Sequence, residues 1–176
     1  YGRHVWEKLI EAGTEFDITP YGTESMHVLR AEKGFIIVGQ DTDGSMTPAD
    51  MNMDWVVGKN KAFSFIGKRS LERSDSVREN RKQLVGLKTL NPVSVLPEGS
   101  QIVNDPKQAI PMTMQGHVTS SYYSANMGHS IALAVVKGGL SRMGDTVYCP
   151  AADGSIIAAE IVSSVFYDPK GERQNV

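Results

Sequence analysis

The chain has a single cysteine, Cys149, among its 176 residues. One thiol excludes an internal disulfide bond and a metal site built from several cysteines. It fits a reducing compartment, so a cytoplasmic location is expected. The sequence also lacks any run of about eighteen apolar residues, which a transmembrane helix would need. No secretory signal peptide is recognisable at its start. A membrane partner is therefore not predicted.

Charge of one sign is not in excess, since 18 lysines and arginines face 20 aspartates and glutamates, for a net charge of −2. This balance gives no indication of a nucleic-acid partner. The four histidines lack the spacing of a metal motif. The loop of Asp41, Asp43 and Ser45 lacks the later ligands and closing glutamate of a calcium loop, so no metal site is predicted. The dinucleotide-binding fingerprint G-x-G-x-x-G is absent as well, so no FAD or NAD site of that type is predicted in this chain.

The first part of the chain combines helical patterns with short apolar runs. Residues Arg3–Ala12 carry an apolar stripe with helical spacing and predict an amphipathic helix. A second helix is predicted to begin at Thr19-Pro20 or at Thr23, and to end before Gly34, which suits a left-handed C-cap. Three apolar runs predict strands or strand-like pieces: Phe35–Val38, Trp55–Val57 and Phe63–Ile66.

From Gln83 onward, short β-type runs recur about every ten residues and are separated by glycine and proline. This spacing is typical of a small antiparallel barrel or sandwich. The charged stretch Leu71–Lys82 before it predicts either a linker or a solvated helix. We therefore expect two domains, at residues 1–80 and 81–176.

An ordered series of motifs near the start resembles the folate-binding aminomethyltransferase family, whose type member is the glycine-cleavage T-protein. It comprises L-R-x-E-x-G at Leu29–Gly34, G-x-D at Gly39–Asp41, Thr47-Pro48 and Trp55. In the second half, VGL and the stretch Gly116-x-Val-Thr-Ser resemble the family's C-terminal barrel. The resemblance implies an α+β fold: a mixed helix and strand remnant of the folate-binding domain, followed by a small antiparallel β-barrel. The family's catalytic aspartate belongs to an earlier part of that domain, so no catalytic residue is assigned here.

Within the family, the stretch SMHVLRAEKG has Met26 and His27 where glycine-cleavage members have Arg and Asp. This and the phrases FIGKRSL and PMTMQGHVTSSYYS resemble the α subunits of heterotetrameric bacterial sarcosine oxidase. That branch implies tetrahydrofolate as ligand and the other oxidase subunits as partners. It implies FAD, FMN and NAD in the parent complex, but not on this segment. Since the chain starts at Tyr1, within a helix, we expect a fragment that is inactive alone and exposes apolar side chains such as Trp6, Leu9 and Phe35.

Two alternatives remain open. The chain could belong to another branch of the family, a T-protein or a dimethylglycine or sarcosine dehydrogenase. It could also be a non-catalytic docking module whose barrel only packs against partner subunits.

Four residues are predicted to bind folate, and the resemblance carries each of them. The carboxylate of Glu32 offers two acceptors that match two adjacent donors of a pterin, although a surface glutamate is the simpler alternative. Arg30 belongs to the same motif, with a structural ion pair as its alternative. Lys61 could hold a glutamyl carboxylate of folate, or be a solvated turn lysine. Tyr167 could stack on the ligand, or only line the barrel.

Overall fold

The computed structural model describes residues 1–175. Its first part contains four α-helices: α1 at Gly2–Gly13, α2 at Thr23–Glu32, α3 at Lys68–Leu71 and α4 at Ser74–Val77. Short 3-10 turns occupy Thr14–Phe16 and Asp54–Val56. Helix α1 confirms the predicted amphipathic helix, and α2 begins at the later of its two predicted starts. Within the charged stretch Leu71–Lys82, only the short helix α4 and the last residue of α3 are helical, so no continuous helix forms there.

The three strand predictions in the first part are wrong. Residues 35–38 form a loop with one isolated bridge, between Val38 and Thr42, and 63–66 form no regular element. Residues 54–56 are a 3-10 turn. Phe35 and Val38 are 63% and 84% exposed. Because no described strand lies beside these runs, their backbone groups have no ladder to join.

The second part is a six-stranded antiparallel barrel. Its strands are β1 (Lys82–Thr89), β2 (Gln101–Ile102), β3 (Gly116–Ser124), β4 (His129–Lys137), β5 (Thr146–Pro150) and β6 (Ile156–Val162). They are hydrogen-bonded in the order β2-β3-β4-β1-β6-β5. Val103 and Tyr148 exchange two main-chain hydrogen bonds, of 2.9 and 3.0 Å, which join the two edges and close the sheet. The predicted α+β fold with a C-terminal β-barrel is confirmed.

Strand β4 is buried on both faces. Ala132, Ala134 and Val136 point into the barrel core, together with Leu87 and Ile161. On its other face, Leu133 and Val135 pack with Leu84 and with Met51 from the first part. The segment that carries Met51 therefore covers the outside of the barrel, and one strand serves two apolar clusters.

Gly34 ends α2 in the left-handed conformation predicted for it, with φ of +69°. A Cβ at this position would lie 2.6 Å from the carbonyl oxygen of Ser164. Two reasons therefore require glycine at position 34. Its backbone conformation is strained for other residues, and the segment after β6 leaves no room for a Cβ atom.

Apolar side chains of the first part are exposed as expected: Trp6, Leu9 and Phe35 are 55%, 58% and 63% accessible. With Ile10, Ile18 and Met26, the first two line an apolar groove beside α1. Among the described helices, none has the length and apolar character required to cross a membrane.

Candidate functional site

The last turn of α2 lies against strand β3 of the barrel and places the side chain of Arg30 in a buried polar cluster. Its Nη1 donates to Asp41 Oδ2 at 2.6 Å, and its Nη2 donates to Ser120 Oγ at 2.7 Å. The guanidinium carbon also lies 5.8 Å from the centre of the Tyr122 ring. Arg30 thus joins the helix, the following loop and the barrel.

Asp41 is the acceptor at the centre of this cluster, and its side chain is fully buried. Besides Arg30, it accepts hydrogen bonds from the main-chain N–H of Ile37 at 2.8 Å, from Thr119 Oγ1 at 2.5 Å and from Ser120 Oγ at 2.7 Å. Four donors on one carboxylate satisfy its acceptor sites, so the ion pair is well compensated for its burial.

Glu32 follows Arg30 by two residues and makes a second contact with β3. Its carboxylate accepts from Ser124 Oγ at 2.6 Å and from Asn126 Nδ2 at 2.9 Å. Its carbonyl oxygen accepts from the main-chain N–H groups of Phe166 and Tyr167, at 2.9 and 3.0 Å. With 2% of its surface exposed, Glu32 is held by the barrel and by the chain's last segment together.

We call this region the α2–barrel joint and define it by Arg30, Glu32, Asp41, Ser120 and Ser124. The structure brings three of the four predicted folate-binding residues to it, since half-buried Tyr167 itself donates its main-chain N–H to Glu32. The Tyr167 ring lies 5.1 Å from the guanidinium carbon of Arg173.

The contacts of Glu32 and Arg30 bear on their predicted roles. Ser124 and Asn126 occupy two of the roughly four acceptor sites of the Glu32 carboxylate, and these contacts across the barrel also suit a joint between parts. For Arg30, the structural ion pair named as its alternative is present. Its Nε is nevertheless buried without a hydrogen-bond partner among the described residues. Folate binding by both residues stays a prediction.

Lys61 lies elsewhere, in a cleft of about 890 Å³ between the segment 44–82 and the rim of the barrel. Its ammonium lies 5.2 Å from the centre of the Phe65 ring. The neighbouring Lys59 forms an ion pair with Asp54. Lys61 is therefore not assembled with the other three predicted residues.

A second charged contact, Asp50 with Arg81, holds the first part against the barrel and was not predicted. Asp50 Oδ2 accepts from Arg81 Nη2 at 2.6 Å and from Thr47 at its N–H and Oγ1. Burial alone would raise the pKa of Asp50, but the hydrogen bonds from Arg81 and Thr47 outweigh it and hold that pKa below its ordinary value. Thr47-Pro48 marks the turn in the sequence, but Arg81 stands within a charged stretch that does not distinguish it.

The sequence analysis did not predict that Asp41 is buried, because its partners Arg30, Thr119 and Ser120 are distant from it along the chain.

Among the described residues, no group of three or more His, Cys, Asp or Glu could hold a metal ion. Burial raises the pKa of the Cys149 thiol to about 12, which makes it a poor nucleophile at neutral pH.

Two family models match the chain in sequence: the GCVT N-terminal domain over residues 1–61, and the glycine cleavage T-protein C-terminal barrel domain over residues 82–168. The chain belongs to the aminomethyltransferase, or glycine-cleavage T-protein, family. In this family member, the barrel match begins at the residue where β1 begins.

Several relatives are similar over almost the whole chain. The sarcosine oxidase subunit alpha of Corynebacterium sp. (strain P-1) is 48% identical over 99% of the chain, and that of Rhizobium meliloti (strain 1021) is 37% identical over all of it. The aminomethyltransferase of Synechococcus sp. (strain WH7803) is 31% identical over 94% of the chain. The chain spans 18% of the length of these sarcosine oxidase subunits and 42% of that aminomethyltransferase.

The fold has a solved counterpart in the glycine cleavage system aminomethyltransferase T from Bartonella henselae. The two superpose with a TM-score of 0.77 over 95% of this chain and 44% of that one. The two sequences are 23% identical, so this comparison shows that the chain shares the fold of that protein.

Proposed function

We propose that the chain is the tetrahydrofolate-binding C-terminal portion of a sarcosine oxidase α subunit. The observation that carries the proposal is its alignment with two such subunits over 99–100% of its length, at 48% and 37% identity. The substitution of Met26 and His27 for the Arg and Asp of glycine-cleavage members supports the same branch.

In the proposed reaction, a flavin of the parent enzyme would supply the two-electron oxidation of sarcosine to its imine. N5 and N10 of tetrahydrofolate would each replace an N–H bond with a bond to the former methyl carbon, and glycine would leave, giving 5,10-methylenetetrahydrofolate. A folate site joined to the oxidase holds the reactants together and shields the imine from water, which would release formaldehyde. FAD, FMN and NAD would bind outside these residues, and the other oxidase subunits would be partners of the whole protein in the cytoplasm.

This chain would contribute one wall of the folate site, at the α2–barrel joint. Tyr167 donates its main-chain N–H to the carbonyl oxygen of Glu32, and the buried Nε–H of Arg30 has no acceptor among the described residues. A buried donor without a partner is unfavourable, so an acceptor atom of a bound ligand would supply the missing hydrogen bond to the Arg30 Nε–H. Lys61, in the separate cleft, would meet only the glutamyl end of folate.

The test is titration of tetrahydrofolate into the full-length polypeptide by calorimetry. If Glu32 binds the pterin, Glu32→Gln turns one acceptor into a donor and weakens affinity about tenfold to a hundredfold, which is roughly 1.5–3 kcal/mol. Sarcosine oxidation stays largely intact while formaldehyde replaces part of the methylenetetrahydrofolate. Glu24→Gln, on the exposed side of the same helix, is the matched control.

Ser124→Ala separates the two roles of Glu32, since it removes one of its donors without changing the carboxylate. If Glu32 only joins helix and barrel, both Glu32→Gln and Ser124→Ala lower the thermal unfolding midpoint and leave folate affinity unchanged. Absence of folate binding by the unsubstituted protein would overturn the proposed function itself.

A docking module is the second candidate function. The exposed apolar groove beside α1 favours it, because contiguous apolar surface marks contact with another part or another subunit. This candidate predicts that the full-length protein assembles with its partner subunits but binds no folate.

A further inference from the structure

The cleft that holds Lys61 is strongly basic, although the chain as a whole carries a net charge of −2. Six of its lining side chains are cationic and one, Asp75, is acidic; the cations are Lys61, Arg73, Arg78, Arg81, Lys82 and Lys137. Charges of one sign gathered in a concave site focus the local potential and attract ligands of opposite sign.

The available carboxylates are used by two of these cations. Arg81 pairs with Asp50 and Asp75, at 2.6 and 3.1 Å, and Arg78 pairs with Asp75 at 2.9 Å. The other four, Lys61, Arg73, Lys82 and Lys137, form no ion pair with any residue from 1 to 175.

Two of these unpaired cations face each other directly. Lys82 at the start of β1 is the register partner of Lys137 at the end of β4. Side chains at such positions have Cβ atoms about 4.5–5.5 Å apart, and like charges there are destabilising. A rim that keeps two lysines opposite each other gains stability when an anion lies between them.

The apolar part of the lining comes mostly from residues 56–66, and it lies among small and polar residues such as Ser45, Thr47 and Asn80. It includes Val56 and Ile66, which are 55% and 104% exposed, as well as Met46 and Phe65. The unpaired cations stand on three separate segments: the turn at Lys61, the α3–α4 connection at Arg73, and the barrel rim. An extended chain with several carboxylates supplies a separate acceptor for each segment, which a single compact anion does not.

We propose that this cleft binds an acidic polypeptide segment of a partner subunit, with carboxylates placed on the barrel rim and apolar side chains against Val56, Phe65 and Ile66. The site is distinct from the α2–barrel joint. The proposal rests on the partner subunits of the proposed function but not on folate binding, and it assigns Lys61 to the partner segment instead of to the glutamyl end of folate.

The test uses the full-length protein and a fluorescein-labelled peptide that alternates glutamate with leucine, followed by fluorescence anisotropy. The double variant Lys82→Gln/Lys137→Gln is expected to weaken binding about tenfold, from the loss of two exposed charge contacts. Affinity should also fall with added salt. Lys88→Gln is the matched control, because Lys88 is an exposed lysine on β1 outside the cleft.

Three results would overturn the proposal. The peptide could fail to bind, or it could bind the double variant as tightly as the unsubstituted protein. A γ-linked oligoglutamate could bind through the same lysines more tightly than the peptide, which would assign the cleft to a small molecule. The thermal unfolding midpoint of the free double variant should stay close to that of the unsubstituted protein, since the substitution removes both the repulsion between the two lysines and the attraction of Lys82 for Asp43. An unchanged midpoint excludes misfolding as the cause of lost binding.

Discussion

The barrel and the preceding part of the chain bury different kinds of residue. Strand β4 buries a continuous apolar run from Ile131 to Val136. Before Arg81, the buried residues in the structure are Gly13, Arg30, Ala31, Glu32, Asp41, Asp50 and Met51. The barrel is therefore stabilised mainly by apolar burial, whereas the first part is attached to it largely through charged side chains with assigned partners.

This difference teaches where each part is sensitive to substitution. An apolar core loses stability in proportion to the volume removed. Removing the charged partner of a buried ion lowers the free energy of unfolding by much more, because the remaining charge is left unpaired in an environment of low dielectric constant. We expect the first part to detach from the barrel after single polar substitutions that leave the barrel folded.

Asp41→Ala should have the largest effect. It leaves the buried guanidinium of Arg30 without its carboxylate, which costs about 3–5 kcal/mol. Amide hydrogen exchange should show lost protection in α2 and retained protection in β1 and β4. Asp54→Ala, which removes a surface ion pair with Lys59, is the control and should cost about 1 kcal/mol or less. Equal loss of protection in both parts would break the comparison drawn above.

Gly34→Ala should have an intermediate effect, about 1–3 kcal/mol, through backbone strain and the approach to Ser164. Gly39→Ala separates the two causes. Gly39 also has positive φ, of 94°, but a Cβ there would meet nothing within 4 Å. Urea unfolding should therefore place Gly39→Ala between the unsubstituted protein and Gly34→Ala. If both variants lost the same free energy of unfolding, the contact with Ser164 would contribute nothing to the effect of Gly34→Ala.

The pH dependence of the Asp50–Arg81 contact should be the smallest effect. The pKa of Asp50 is lowered in the folded protein from 3.8, so its contribution is complete above that value and is lost as pH falls further through the folded pKa. Asp50→Asn should flatten this part of the stability profile in acid, as measured by unfolding at pH values below about 4. A profile of unchanged slope would show that Asp50 does not titrate differently on folding.

Much of the fold follows from local pattern. Apolar spacing predicts α1, the glycine at 34 predicts the end of α2, and short β runs with glycine and proline between them predict the barrel. These features depend on neighbours in sequence, where steric and hydrogen-bonding preferences act directly. The motif L-R-x-E-x-G likewise identifies the family and selects Arg30 and Glu32 as noteworthy residues.

Tertiary structure alone decided what those residues contact. Arg30 reaches Ser120 and Glu32 reaches Ser124 across 90 and 92 positions, and no local pattern encodes such a pairing. The run at Phe35–Val38 has the composition of a strand but lies beside no other strand, and strand formation requires a partner for its main-chain groups. Lys61, selected together with Arg30 and Glu32, lies in a different cleft because folding, not sequence order, sets which side chains share a site.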